Sequence, residues 1–178
     1  MLDKLYITPK QWMRIFRWTL YSLLFLGFMM LQTVILGKHK LFGLRPDLIP
    51  IVISCVCLRE GPERGGVYAL CCSLFWALSG IDQGALMILL LTVLPITASV
   101  LFRRTFVLSF ASALVCCGII LLAVHSMGFL LKLFYESARG SLYFTRLIPT
   151  VAVSLLAQPA IYGIVKCIQK IGDPYEAA

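Results

Sequence analysis

The sequence predicts an all-α integral membrane protein, one domain folded as a six-helix transmembrane bundle. Three observations predict it. Of 178 residues 60% are apolar and 13% charged, where a soluble domain carries about 25% charge. Mean hydropathy is +0.92. The charges stand between long apolar runs instead of alternating with them. A soluble core of this size could not hide that much apolar surface, whereas lipid-facing positions can stay apolar.

The first span is expected over residues 15–36. A basic lead-in with Lys4, Lys10, Arg14 and Arg17 precedes it, and Trp12 and Trp18 follow the pattern of amphipathic rings near headgroups. From Trp18 to Leu36 the apolar run would make about 28 Å of helix. That exceeds the apolar part of a signal peptide, and no small-residue cleavage site follows, so the span is read as retained. Lys38-His39-Lys40 closes it.

The second span, 46–58, opens at Arg45-Pro46-Asp47. Pro46 suits a first helical turn, and Asp47 suits the positive end of the helix dipole. Arg59-Glu60-Gly61-Pro62-Glu63-Arg64 is a tight polar turn, after which Gly65-Gly66 leads into a third span, 66–80. This run is short for a hydrocarbon core of about 30 Å. Spans two and three are therefore expected to form a short hairpin, extended by its glycine turns or covered by neighbours.

The fourth span, 85–102, contains Pro95, which should kink it, and ends at Arg103-Arg104. The fifth covers 105–124 and the sixth 147–167, the latter with Pro149 and Pro159 inside it. Between them Lys132, Glu136 and Arg139 fall on one helical face, with Leu130, Leu133 and Phe134 largely opposite. That pattern predicts an amphipathic interfacial segment over 128–140, either stapled to its own bundle or offered to a partner.

The formal charge is +8, from 16 Lys+Arg against 8 Asp+Glu. Because the basic residues flank the spans, they are assigned to headgroups and orientation, not to nucleic acid. The lead-in with Arg59, Arg64, Arg103, Arg104, Lys166 and Lys170 outweighs Lys38, Lys40, Arg45, Lys132, Arg139 and Arg146 on the other side. Both termini are thus expected in the cytoplasm.

Chemistry is sparse. The seven cysteines show no C-x2-C spacing, and the pairs Cys71–Cys72 and Cys116–Cys117 would point about 100° apart on a helix. They are read as small buried hydrophobes. His39 and His125 fall in expected loops, with no acidic or cysteine partner at helical spacing, so no metal or other cofactor is expected. No nucleophile elbow, phosphate loop or paired-carboxylate motif appears, so no enzyme is expected. Within the spans, Gln32 and Gln158 should bridge helices or face an inner cleft.

The order of several short motifs resembles the MreD family, the bacterial rod-shape-determining membrane proteins. They are Leu31-Gln32-Thr33, Leu41-Phe42-Gly43-Leu44-Arg45-Pro46-Asp47-Leu48, and Leu58-Arg59-Glu60-Gly61-Pro62 before Gly65-Gly66. Leu78-Ser79-Gly80 before Gly84, Leu147-Ile148-Pro149 and Gln158-Pro159-Ala160-Ile161-Tyr162 follow. The likeness runs roughly from residue 28 to 170. Trp76 and Thr150 stand near positions where that family tends to carry acidic residues.

The resemblance implies a non-enzymatic scaffold of the elongasome, which inserts side-wall peptidoglycan in rod-shaped bacteria. It implies binding to MreC, links through the complex to RodA, a class B penicillin-binding protein and MreB, and residence in the bacterial cytoplasmic membrane. Contact or structural candidates are Gln32, Arg45, Pro46, Asp47, Trp76, Asp82, Lys132, Glu136, Arg139 and Gln158. The family's fold is similar to the substrate-binding components of energy-coupling-factor transporters. The alternative is therefore a membrane component that binds a vitamin-like small molecule. It would need an outer pocket, to which Tyr68, Trp76, Asp82 and Gln83 could contribute.

Overall fold

A computed structural model describes residues 9–36, 46–79, 85–105, 109–136 and 140–172. Among them all regular structure is helical, in six helices. Helix α1 (Pro9–Met30) continues as a π-helical turn over Leu31–Ile35. It is followed by α2 (Ile49–Glu60), α3 (Pro62–Leu78), α4 (Ala85–Thr105), α5 (Phe110–Glu136) and α6 (Gly140–Gly172). Four stretches are long and apolar enough to cross a bilayer: Gln11–Val34, Ala85–Arg104, Phe110–Leu130 and Leu147–Ile171. The chain is a multi-pass membrane protein. At 12 and 17 residues, α2 and α3 are shorter than those four.

Helix α2 is the axis of the bundle. Every residue from Ile49 to Leu58 is buried, and α2 packs against all five other helices. It is apolar nearly all round, the pattern of a helix without a solvent or lipid face. Of the two possibilities for the short hairpin, α2 takes the second and is covered by its neighbours. Shielded in this way, it need not match the bilayer's thickness. Helix α3 differs, because Val67, Leu70, Leu74, Phe75 and Leu78 remain exposed along its outer side.

A single residue joins the two. Gly61 has φ of 98°, in the left-handed region where glycine is at ease, and Pro62 then sets the first turn of α3. The next constraint is steric. A Cβ on Gly65 would stand 2.5 Å from Cys57 Cα, so α3 lies against α2 only because that side chain is missing. The Gly65-Gly66 pair thus marks a close approach of two helices instead of the start of a run.

Several boundaries differ from expectation. Helix α2 begins at Ile49 with Pro50 in its first turn, so Pro46 and Asp47 precede it. Either proline could open a helix, and tertiary hydrogen bonds to residues 47–49 decide between them. Helix α3 starts at Pro62, before the expected Gly66. Helix α5 runs unbroken to Glu136, so residues 128–136 prolong a long helix and do not form a separate segment. His125 is accordingly helical, not in a loop. The one potential breaker there, Gly128, is tolerated singly. Helix α6 extends over 33 residues and continues through Pro149 and Pro159.

The close approach gives a direct prediction. Gly65→Ala should lower the thermal midpoint in detergent by the equivalent of about 1–3 kcal/mol, the usual effect of overpacking. An unchanged midpoint would show that α2 and α3 are not in contact at this point.

Candidate functional site

A helix cut off from water still has unpaired N–H groups at its start and unpaired carbonyls at its end. In α2 several groups of each set are served by other helices, which creates two polar layers. At its start, Gln32 Oε1 accepts from the Leu48 N–H at 3.0 Å and the Ile49 N–H at 3.3 Å. Gln32 Nε2 donates to Asp47 Oδ1 at 3.0 Å. Gln32 thereby supplies from α1 the acceptor that Leu48, at the cap position, lacks. It sits in the π-helical turn, a local widening of a kind common at functional sites.

The remaining groups of Asp47 are tied to two further helices. Its N–H donates to Ser154 Oγ at 2.9 Å, and Ser154 Oγ donates to the Thr150 carbonyl at 2.8 Å. Its Oδ2 lies 3.3 Å from His125 Nε2. Helices α1, α5 and α6 therefore converge on the residues that open α2.

The second layer surrounds the α2–α3 link. Arg17 Nη2 stands 3.1 Å from Glu60 Oε2, with the two side chains 6% and 3% exposed. Tyr21 Oη donates to Glu60 Oε1 at 2.9 Å, and Tyr68 Oη donates to the Tyr21 carbonyl at 3.0 Å. Arg103 donates to the Leu58 and Arg59 carbonyls, and Ser99 Oγ to the Cys57 carbonyl at 2.9 Å. The last carbonyls of α2 thus find donors on α4. Arg59 donates to Tyr162 Oη at 2.8 Å and lies 4.9 Å from that ring's centroid. Cation–π attraction of this sort strengthens as water is excluded.

Of the residues singled out from the sequence, Gln32, Pro46 and Asp47 come together in the first layer. Trp76 is 4% exposed and Gln158 fully buried, so neither presents a surface to another protein. Among the described residues neither amide atom of Gln158 has a hydrogen-bond partner, and it stands about one turn from both Ser154 and Tyr162 on α6. Arg45, Asp82 and Arg139 lie outside the described residues, as do the side chains of Lys132 and Glu136. Of the four residues considered for an outer pocket, Tyr68 and Trp76 belong to the core, and Asp82 and Gln83 lie outside the described residues.

Other functional residues gave no sign in the sequence. Arg17 and Arg103 occupy span ends, where headgroup contact and internal pairing use the same residue type. His125 does have an acidic partner, Asp47, which a search at helical spacing cannot find because it lies on another element. Cys55, Cys57, Cys72, Cys116 and Cys117 are buried, with Cys55 Sγ 3.9 Å from Cys117 Sγ, whereas Cys71 and Cys167 are exposed. Among the described residues no group of three or more His, Cys, Asp or Glu side chains is placed to hold a metal. No protein-family model, curated protein or solved structure matches the chain.

The two glutamines should respond differently to the same change. Gln32→Leu strips two buried N–H groups of their acceptor and should destabilise the fold by about 1–3 kcal/mol. Gln158→Leu removes an unpaired buried amide and should leave the thermal midpoint unchanged or raise it. Equal losses at both positions would contradict this assignment. In the second layer, Glu60→Gln should cost about 3–5 kcal/mol by removing the charge that Arg17 faces, while joint Arg17→Met and Glu60→Leu should recover most of it. Urea unfolding in mild detergent measures both, and a double variant as unstable as the single one would contradict the pairing.

Proposed function

We propose that the chain is a non-enzymatic membrane scaffold of the MreD type. In this reading it binds an MreC-like protein with one membrane span and helps to organise side-wall peptidoglycan synthesis. RodA, a class B penicillin-binding protein and MreB are reached through that complex. One observation supports the reading most. The motifs that carry the resemblance are distant in sequence, yet they contribute residues to both polar layers around α2. Gln32 and Asp47 belong to one; Arg59, Glu60, Gly61 and Tyr162 belong to the other. Their polar groups are used to hold helices together, which favours a rigid platform over a reaction centre.

In the same proposal α2 and α3 cross the membrane with the four long helices, as a six-helix bundle resembling the energy-coupling-factor components. The position of α2 supports this, since it runs from one polar layer to the other. Both termini then lie in the cytoplasm of a bacterial cell, on the side of Arg59, Arg64, Arg103 and Arg104. Docking falls to the outer apolar faces, because the inward residues are already engaged.

Gln158 favours a second reading. A fully buried amide with both atoms unpaired is a group that a small polar ligand could satisfy, as a transporter component would require.

Co-expression with an MreC-like protein, followed by purification in mild detergent, separates the two. The scaffold reading predicts a stoichiometric complex that survives Gln158→Leu. A tightly held metabolite in the purified chain, lost in Gln158→Leu, together with no partner complex, would replace it. A reporter fused at Ala178 should register the cytoplasm, and an extracytoplasmic signal would overturn the proposed topology.

A further inference from the structure

Asp47 stands where four helices meet. Gln32 of α1 donates to its Oδ1, Ser154 of α6 accepts from its N–H, and His125 of α5 lies against its Oδ2, just before α2 begins. An amide and a hydroxyl keep their protons over the range where histidine changes charge, so of these contacts only the last answers to pH. We propose that the Asp47–His125 contact is a pH-sensitive latch. It fastens the start of α2 to α5 while His125 carries its proton, and loosens when that proton leaves.

Geometry is the first argument. His125 Nε2 lies 3.3 Å from Asp47 Oδ2, so a ring nitrogen is held beside the carboxylate. With the imidazolium this is a charge-assisted contact, roughly twice as strong as the neutral one.

Isolation is the second. Among the described residues no other ionisable side chain shares this end of the bundle. Helix α1 has none between Tyr21 and Ile35, α2 none between Asp47 and Cys55, and α6 none between Arg146 and Tyr162. Helix α4 meets α5 where Met87 approaches Gly128, and it has none before Arg103. On α5 itself Cys117 lies two turns before His125. Lys38, His39, Lys40, Arg45 and Asp82, with the side chains of Lys132, Glu136 and Arg146, lie outside the described residues.

Burial is the third argument, and it sets the sign. The side chains of His125 and Asp47 are 15% and 32% exposed, enough for protons to reach them from outside. They are also dry enough that a lone carboxylate is costly. Burial raises the Asp47 carboxyl above its ordinary range, and the charge on His125 opposes that shift. Once His125 is neutral, the carboxylate keeps only a neutral amide donor, from Gln32. The latch therefore contributes stability below the range in which histidine loses its proton, and that contribution is lost as the pH rises through it. In the topology proposed above the latch faces the outside of the cell. Its test in detergent does not depend on that topology.

Thermal unfolding and hydrogen exchange of the full chain in mild detergent, at about pH 5.5 and about pH 8, test this. Over that interval the wild-type thermal midpoint should fall by about 2–4 °C. The Leu48 and Ile49 amides should exchange about fivefold faster at the higher pH, after correction for the intrinsic effect of pH. His125→Gln keeps a donor in the place of Nε2 but cannot titrate, and it should show neither change. The chain has two histidines, so His39→Gln leaves His125 alone. Its imidazole NMR shift should then move over the same pH range as the exchange. Should His125→Gln fail to fold, that coincidence decides alone. A wild type indifferent to pH would overturn the proposal, as would a full response in His125→Gln. So would an imidazole that titrates outside the range where exchange changes.

Discussion

A helix enclosed on all sides must have its terminal peptide groups satisfied by its neighbours, and that requirement organises this protein. An unpaired polar group in an apolar interior costs several kcal/mol, and a bilayer offers no water to relieve it. Helix α2 meets the requirement at both ends. Gln32 from α1 serves its first N–H groups; Arg103 and Ser99 from α4 serve its last carbonyls. Among the polar side chains inside the spans, Gln32, Ser99 and Ser154 are committed to this task, while others such as Thr19, Ser54 and Thr97 bond back to their own helices.

Function on this account lies outside the core. Inward residues are consumed in tying α1, α4, α5 and α6 to one axis, so the faces left for recognition are apolar ones turned towards lipid. Such a body can hold another helix or a lipid in a fixed place without chemistry of its own. Gln158 is the exception, because it is sealed in the bundle with its amide unpaired. Packing alone would favour an apolar side chain there, which makes it an inward position that a ligand-binding reading can claim.

Much of the architecture was legible in the sequence. Composition identifies a membrane protein because bilayer-facing surface leaves a large apolar excess, and the long runs in α1, α4, α5 and α6 announce themselves. The local chemistry of the α2–α3 link was legible as well, since Gly61-Pro62 has few other uses. What escaped is long-range. The pairing of Arg17 with Glu60 and of His125 with Asp47 depends on which helices become neighbours, and periodicity along one helix carries no such information. Pro46 and Pro50 are equally good helix openers by local rules, and bonds from Gln32 and Ser154 select the second. The extent of α5 was hidden because an amphipathic pattern looks alike in a surface segment and at the end of a long helix. The glycine pair at 65 and 66 is plain in the sequence, but its role needs the distance to Cys57.

The burial of α2 is tested most directly by the native thiols. In mild detergent, a small membrane-permeant thiol reagent, followed by mass mapping, should modify Cys71 and Cys167 and spare Cys55 and Cys57 until the protein is unfolded. Modification of Cys55 or Cys57 in the folded protein as fast as Cys71 would show that α2 is not enclosed, and the account built on its two ends would fail with it.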